Sequence, residues 1–227
     1  MTKVLVKIGI LIGLLLGGFW FYHQQQVKYD MKQYNKKIKE YMDYDQNFEV
    51  EKAKAWNPDI VGRVFIDGVI DEVVVQTENN IDYVHQDLDG NYNVYGTVFQ
   101  DYRVDDEASN IILYGHSSKK KNLVFTSLMK YVDYEFIKAH PRISYQDQEY
   151  ELAYVFMINV HQEYDAMIFE THFEHAELFK KLLMNLSEYT MFDLNVDVSS
   201  VKGMITLVTC NPSNDEERLL VVGIKKS

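Results

Sequence analysis

Three patterns of apolar and polar positions follow one another along this chain. From Ile8 to Tyr22 the residues are uncharged and almost all apolar (Ile-Gly-Ile-Leu-Ile-Gly-Leu-Leu-Leu-Gly-Gly-Phe-Trp-Phe-Tyr). With Val4 to Lys7 added, the stretch reaches the length of a bilayer span, since about 20 helical residues at about 1.5 Å each cover about 30 Å. Residues 27 to 55 are polar and free of Gly and Pro, with Tyr34, Ile38, Tyr41 and Met42 at helical spacing. After Asn57-Pro58 the pattern shortens into β-branched and aromatic runs separated by Asp-Gly and Asn-Asn turn signals.

These runs predict strands at Val61–Ile66, Val73–Gln76, Asn93–Phe99 and Ile111–Tyr114. Two short helices follow, over Asn122–Tyr131 and Asp133–Ala139, the second halted by His140-Pro141. Strands are expected again at Arg142–Tyr145 and Tyr150–Val160, paired across Gln146-Asp-Gln148. Phe173, Ala176, Leu178, Phe179, Leu182, Leu183 and Leu186 then mark an amphipathic helix. Met204–Thr209 and Arg218–Ile224 close the chain as strands. About eight short strands with few helices between them predict a mostly β fold, an antiparallel barrel or sandwich. The predicted organisation is an anchor over 1–26, a helical segment over 27–55 and a β-barrel domain over 56–227.

Lys3 and Lys7 precede the apolar run and favour a cytoplasmic N-terminus, although Lys28, Lys32, Lys36, Lys37 and Lys39 follow it. A cleaved signal peptide is the alternative. The run ends in bulky Phe-Trp-Phe-Tyr with no small-x-small cleavage site, which favours an uncleaved single-pass anchor at the cell membrane with the body outside.

The 227 residues are 47% hydrophobic and 14% aromatic, enough for a packed core. With 34 acidic against 23 basic residues and a net charge of −11, the chain lacks the basic excess that a nucleic-acid partner requires. His172 and His175 stand three apart with His161 nearby, but solvated histidines are a simpler reading than a metal site.

Cys210 is the single cysteine, which excludes an internal disulfide and a thiolate-rich zinc site and leaves a buried inert thiol or a reactive one. It closes an apolar strand just before Asn211-Pro212. His116 closes another strand after Gly115, and Arg218 opens the last one. Polar residues that end apolar strands can converge at a barrel rim. An unperturbed thiol, with a pKa near about 8.5, needs a neighbouring cation or base to act as a nucleophile. A histidine can pass a proton to a leaving amine, and an arginine can hold an oxyanion. Spacing alone leaves open whether the three meet.

The segments carrying these residues resemble a known family. Thr206-Leu-Val-Thr-Cys210 is similar to the TLxTC nucleophile motif of sortases, Asn110-Ile-Ile-Leu-Tyr-Gly-His116 to their histidine strand, and Arg218-Leu-Leu-Val-Val-Gly223 to their arginine strand. Gly96-Thr-Val-Phe-Gln-Asp-Tyr-Arg103 and Phe136-Ile-Lys-Ala-His-Pro-Arg-Ile143 resemble class B in particular, as do the helix after the anchor and the helix before the Cys210 strand. The likeness covers roughly residues 55 to 225. Val208 stands where a Ser is often found, and Ser117-Ser118 where Asn-Met is more usual.

The resemblance implies an eight-stranded sortase-type β-barrel and a cysteine transpeptidase. Such an enzyme cleaves a C-terminal sorting signal of a secreted protein at a Thr-Gly or similar bond and transfers the acyl group to a peptidoglycan peptide amine. Cys210 would be the nucleophile, His116 the proton partner and Arg218 the electrostatic stabiliser. Thr209 and Asn80 would contact substrate, and no cofactor or metal is implied. A pilin polymerase using a pilin lysine, a non-catalytic surface binding module and a hydrolytic cysteine protease are the alternatives.

Overall fold

The computed structural model describes residues 2–43, 47–118, 124–162 and 166–226. The chain divides into two compact units, Met1–Asn47 and Phe48–Ser227. The first is built on one helix, α1 (Thr2–Lys39), which runs without interruption through the boundary expected near residue 26. Lys36, Lys37 and Lys39 occupy its last turn, where cations complement the helix dipole. Within the apolar run the described side chains, among them Leu14, Leu15, Leu16, Phe19 and Trp20, are exposed, whereas Ile38 near the end of the helix is buried. Among the described residues no helix is long and apolar enough to cross a membrane.

The second unit opens with a short helix, α2 (Val50–Ala53), and contains eight strands: β1 (Ile60–Ile66), β2 (Ile70–Val75), β3 (Val98–Gln100), β4 (Asn110–Tyr114), β5 (Arg142–Tyr145), β6 (Gln148–Asn159), β7 (Val201–Asn211) and β8 (Asn214–Lys226). They close into a barrel in the order β1-β2-β3-β4-β7-β8-β6-β5. Most pairings are antiparallel, as expected, but β2–β3 and β4–β7 are parallel. Helix α3 (Tyr134–Ala139) starts at Asp133, whose carboxylate accepts from Phe136 N, and stops before Pro141. Helix α4 (Ala176–Tyr189) buries Phe179, Leu182, Leu183 and Leu186, each side chain contributing about 1.5–3 kcal/mol.

Strand alternation sorts the core into two layers. One cluster draws residues from all eight strands, including Val64, Val74, Val98, Leu113, Tyr145, Val155, Leu207 and Val221, and is the barrel interior. The other takes only the opposite faces of β4, β6, β7 and β8, through Ile112, Phe156, Val208 and Leu220, and packs them against α4. Those four strands are therefore buried on both sides, which explains their nearly continuous apolar runs.

Several expected boundaries move. Asn93–Thr97 is a turn instead of strand: the Asn93 carboxamide accepts from Tyr95 N, and Gly96 adopts φ +57°. The expected helix at Asn122–Tyr131 is a 3₁₀ helix over Val124–Val132, with Asn122 outside the described residues. Arg218 does not open the last strand. That strand begins at Asn214, because β7 and β8 continue to an Asn211–Asn214 pair and turn over Pro212-Ser213 alone.

Candidate active site

The β7–β8 register places Cys210 directly opposite Arg218. Val208 pairs with Leu220 one rung earlier on the same face, the face that α4 covers further down. Cys210 and Arg218 therefore project on that outer face, at the end of the barrel where its cover stops, and both are half-buried. Just beyond this rung the ladder shifts register, and Asp215–Glu217 bulge out of the β7 pairing while Glu217 pairs with Asn159 of β6. The bulge turns the start of β8 so that the Arg218 guanidinium lies under the turn. Its Nη1 donates to the carbonyls of Asp215 (2.6 Å) and Glu217 (2.9 Å). The remaining guanidinium N–H groups make no hydrogen bond among the described residues. Asn211 Nδ2 donates to Glu217 Oε2 at 2.6 Å and fastens the same turn.

Strand β4 lies on the other side of β7 and runs parallel to it, with Tyr114 level with Val208. Two residues further on, His116 comes level with Cys210. Two hydroxyls hold this extension in step after the strand has ended. Thr209 Oγ1 donates to the Gly115 carbonyl at 2.7 Å, and Ser117 Oγ donates to the Cys210 carbonyl. Gly115 is required here, since a Cβ would come within 2.7 Å of the Phe125 ring. Thus the structure brings the segments bearing Cys210, His116 and Arg218 to one rim, although no hydrogen bond joins the three side chains among the described residues.

The His116 ring is held by the β2–β3 connection. Nε2 lies 2.9 Å from the Val84 carbonyl, and the ring stacks on His85 with centroids 5.5 Å apart and planes 13° apart. Burial lowers the His116 pKa below its ordinary value, and the neighbouring His85 adds to the effect against the opposing Val84 hydrogen bond. The connection itself is anchored by buried Tyr83, whose hydroxyl donates to Asp59 Oδ2 (2.8 Å) and accepts from Asn57 Nδ2 (2.7 Å). Burial pushes that phenol up to about 12.

The two expected substrate contacts have partners within the fold. Thr209 is buried, with its hydroxyl on Gly115. Asn80 donates to Asp101 Oδ2 (3.0 Å) and accepts from Tyr102 N (3.0 Å). Asp101 is fully buried and also receives Arg103 through Nε (2.9 Å) and Nη2 (3.0 Å), and the Tyr114 hydroxyl (3.0 Å). Burial would raise its pKa, but the hydrogen bonds from Arg103, Asn80 and Tyr114 together outweigh it and hold the carboxyl below its ordinary value. His172 donates through Nε2 to Asp105, and among the described residues no three of His, Cys, Asp and Glu converge to hold a metal ion. Sequence reasoning did not single out Val84, His85 or Asp101. Asp101 alone carried a signal, since it lies within the Gly96–Arg103 segment that resembles class B, two residues after the apolar Val98-Phe99.

Comparison with known proteins decides the family: the Sortase domain profile matches residues 68–226. The chain belongs to the sortase family. A sortase B of Listeria monocytogenes is 32% identical over 177 residues, covering 75% of this chain and 70% of that protein. A sortase B of Staphylococcus aureus is 27% identical over 183 residues, covering 78% and 74%. The solved structure of sortase B from Listeria monocytogenes superposes with a TM-score of 0.66 at 29% identity, covering 77% of this chain and 99% of that one. The closed eight-stranded barrel is thus the sortase fold, and the relatives place the chain with class B. As a sortase it is a cysteine transpeptidase, and Cys210 is the single cysteine it has. The pilin polymerase and the binding module raised by the sequence are not favoured.

Proposed function

We propose that this sortase cleaves the C-terminal sorting signal of secreted proteins at a Thr-Gly or similar bond and joins the new acyl end to a peptidoglycan peptide amine, with Cys210, His116 and Arg218 as its catalytic residues. The observation that carries the assignment is the rung at the barrel rim. Cys210 faces Arg218 across β7–β8, and the parallel strand β4 delivers His116 beside Cys210.

In the first half-reaction the proton of the Cys210 thiol passes to His116, the thiolate adds to the scissile carbonyl, and the oxygen takes the charge. An Arg218 N–H not engaged by the turn carbonyls donates to that oxyanion. The C–N bond then breaks, the departing amine takes a proton from His116, and a thioacyl enzyme remains. In the second half the acceptor amine adds to the thioester and passes its proton to His116, and the thiolate leaves. Thr209 and Asn80 complete the proposed substrate side: Thr209 keeps β4 and β7 level, and Asn80 fastens the loop beside the rim.

The uncharged run Ile8–Tyr22 lies within one unbroken helix and exposes Leu14 to Leu16 and Phe19 to Tyr22, as suits a lipid surrounding. The reading is therefore a single-pass anchor over 1–26 with a cytoplasmic N-terminus, a helical segment over 27–55 and an extracellular barrel over 56–227. Two measurements test it. Mass spectrometry against a library of sorting peptides should find an acyl adduct on Cys210, and an added amine should divert product from acid to amide. Product that stays acid would mark a hydrolase instead. The full chain should remain in the membrane pellet at alkaline pH and leave it only with detergent; release at alkaline pH would remove the anchor.

A further inference from the structure

The reaction asks one imidazole to give a proton and later take one, from a fixed position beside a thiol. His116 sits beyond the end of its strand, where no backbone ladder fixes its ring. What fixes it comes from the β2–β3 connection, and that connection supplies two contacts of different kinds.

The first is polar. A carbonyl oxygen only accepts, so the contact at 2.9 Å between His116 Nε2 and Val84 O requires a hydrogen on Nε2. That hydrogen stays whether the ring is neutral or charged. The proton that comes and goes must then be on Nδ1, which makes no hydrogen bond among the described residues. The second contact is a flat one. A single hydrogen bond leaves the ring free to rock about it, and the His85 ring, 5.5 Å away and nearly parallel, blocks that motion from one side. His85 is exposed, yet it is not loose. Tyr92 packs against it at 5.9 Å, and its carbonyl accepts from Asn93 N at 2.9 Å. Gly96 closes the loop beneath, packed so tightly on the Tyr83 and Val84 carbonyls that a Cβ would lie 2.3 and 2.4 Å from them.

We propose that the Val84 carbonyl and the His85 ring together orient His116 so that Nδ1 is the nitrogen that exchanges protons during transpeptidation, with His85 acting as a positioning residue through its stacked face. The proposal rests on the assignment of His116 as the proton partner. A backbone carbonyl thus takes the place that a carboxylate holds in a serine-protease triad. It sets the tautomer without adding a negative charge, in keeping with a ring that resists protonation.

The test uses the full chain in detergent micelles. Because His85 is exposed, its substitution leaves the core intact. His85→Ala should lower kcat about tenfold with KM within about twofold, and His85→Phe, which restores a flat face without the imidazole, should recover most of the loss. With ¹⁵N-labelled imidazoles, neutral His116 should show Nε2 protonated in the wild type, and a mixture of tautomers in His85→Ala. A wild-type kcat in His85→Ala, no recovery in His85→Phe, or Nδ1 protonated in the wild-type ring would each overturn the proposal. His116→Ala separates the layers. If it transfers peptide normally, the assignment of His116 is at fault; if it is dead while His85→Ala is normal, only the positioning inference falls.

Discussion

Cys210 is the one thiol in the chain, so Cys210→Ala should form no acyl adduct with any sorting peptide and show no turnover, checked by intact-mass measurement. Arg218→Lys should remain at least about a hundredfold below wild type in kcat, because an ammonium cannot hold two turn carbonyls and still present N–H groups to an oxyanion. His116 should titrate with a midpoint below 6.5 in an NMR pH series, since burial disfavours its charged form, and His85→Phe should move that midpoint upward by removing the electrostatic effect of the neighbouring imidazole. The three rim residues were legible in the sequence because each is a polar side chain beside an apolar run and stands in a segment that resembles a sortase motif. The groups that hold His116 were not. Val84 acts through its carbonyl, which every residue has, and His85 acts through a loop conformation that no periodicity records.

At the scale of elements, the β2–β3 connection is as much a part of the site as the strands. Gly96→Ala would have to move the Tyr83 and Val84 carbonyls and force an L residue to φ +57°. We expect about 1–3 kcal/mol of destabilisation by thermal or urea unfolding. A fall in kcat should accompany it, larger than any rise in KM. The sequence marked this stretch as strand because β-branched and aromatic residues dominate it. The Asn93 side chain and Gly96 decide otherwise, by forming the turn that the aromatic residues alone would not. A similar limit explains β8, whose first residues, Asn214 to Glu217, carry no apolar pattern. They are strand only because a two-residue turn and β6 hold them there.

For the whole molecule, Asp101 joins the β2–β3 connection to β4 through Asn80, Arg103 and Tyr114, and it is fully buried. Its folded pKa is depressed, so its contribution to stability is complete above the ordinary value of 3.8 and is lost as pH falls through the lower folded value. Urea midpoints followed downward from about pH 5 should therefore decline less steeply in Asp101→Asn than in wild type, from a lower starting stability. Asp101→Ala, which leaves Asn80 and Tyr114 without their shared acceptor and Arg103 with only the Phe169 carbonyl among the described residues, should cost about 1–3 kcal/mol. The barrel was legible from the number and length of its strands. Its closure and its two parallel pairings were not, since these depend on partners remote in the chain.

One of those pairings has a consequence for how the enzyme comes into being. Thr209 and Gly115 meet across 94 positions of sequence. Bringing such distant stretches together is among the slowest steps in building a protein, because the intervening loop must lose its freedom before any contact rewards it. Cys210 and Arg218, the proposed nucleophile and its stabiliser, both arrive on the final hairpin, and His116, though already held by Val84 and His85, has no thiol beside it until that hairpin docks. If the three residues act as proposed, a chain still being made should be chemically silent, with activity following only once the last two strands close the wall.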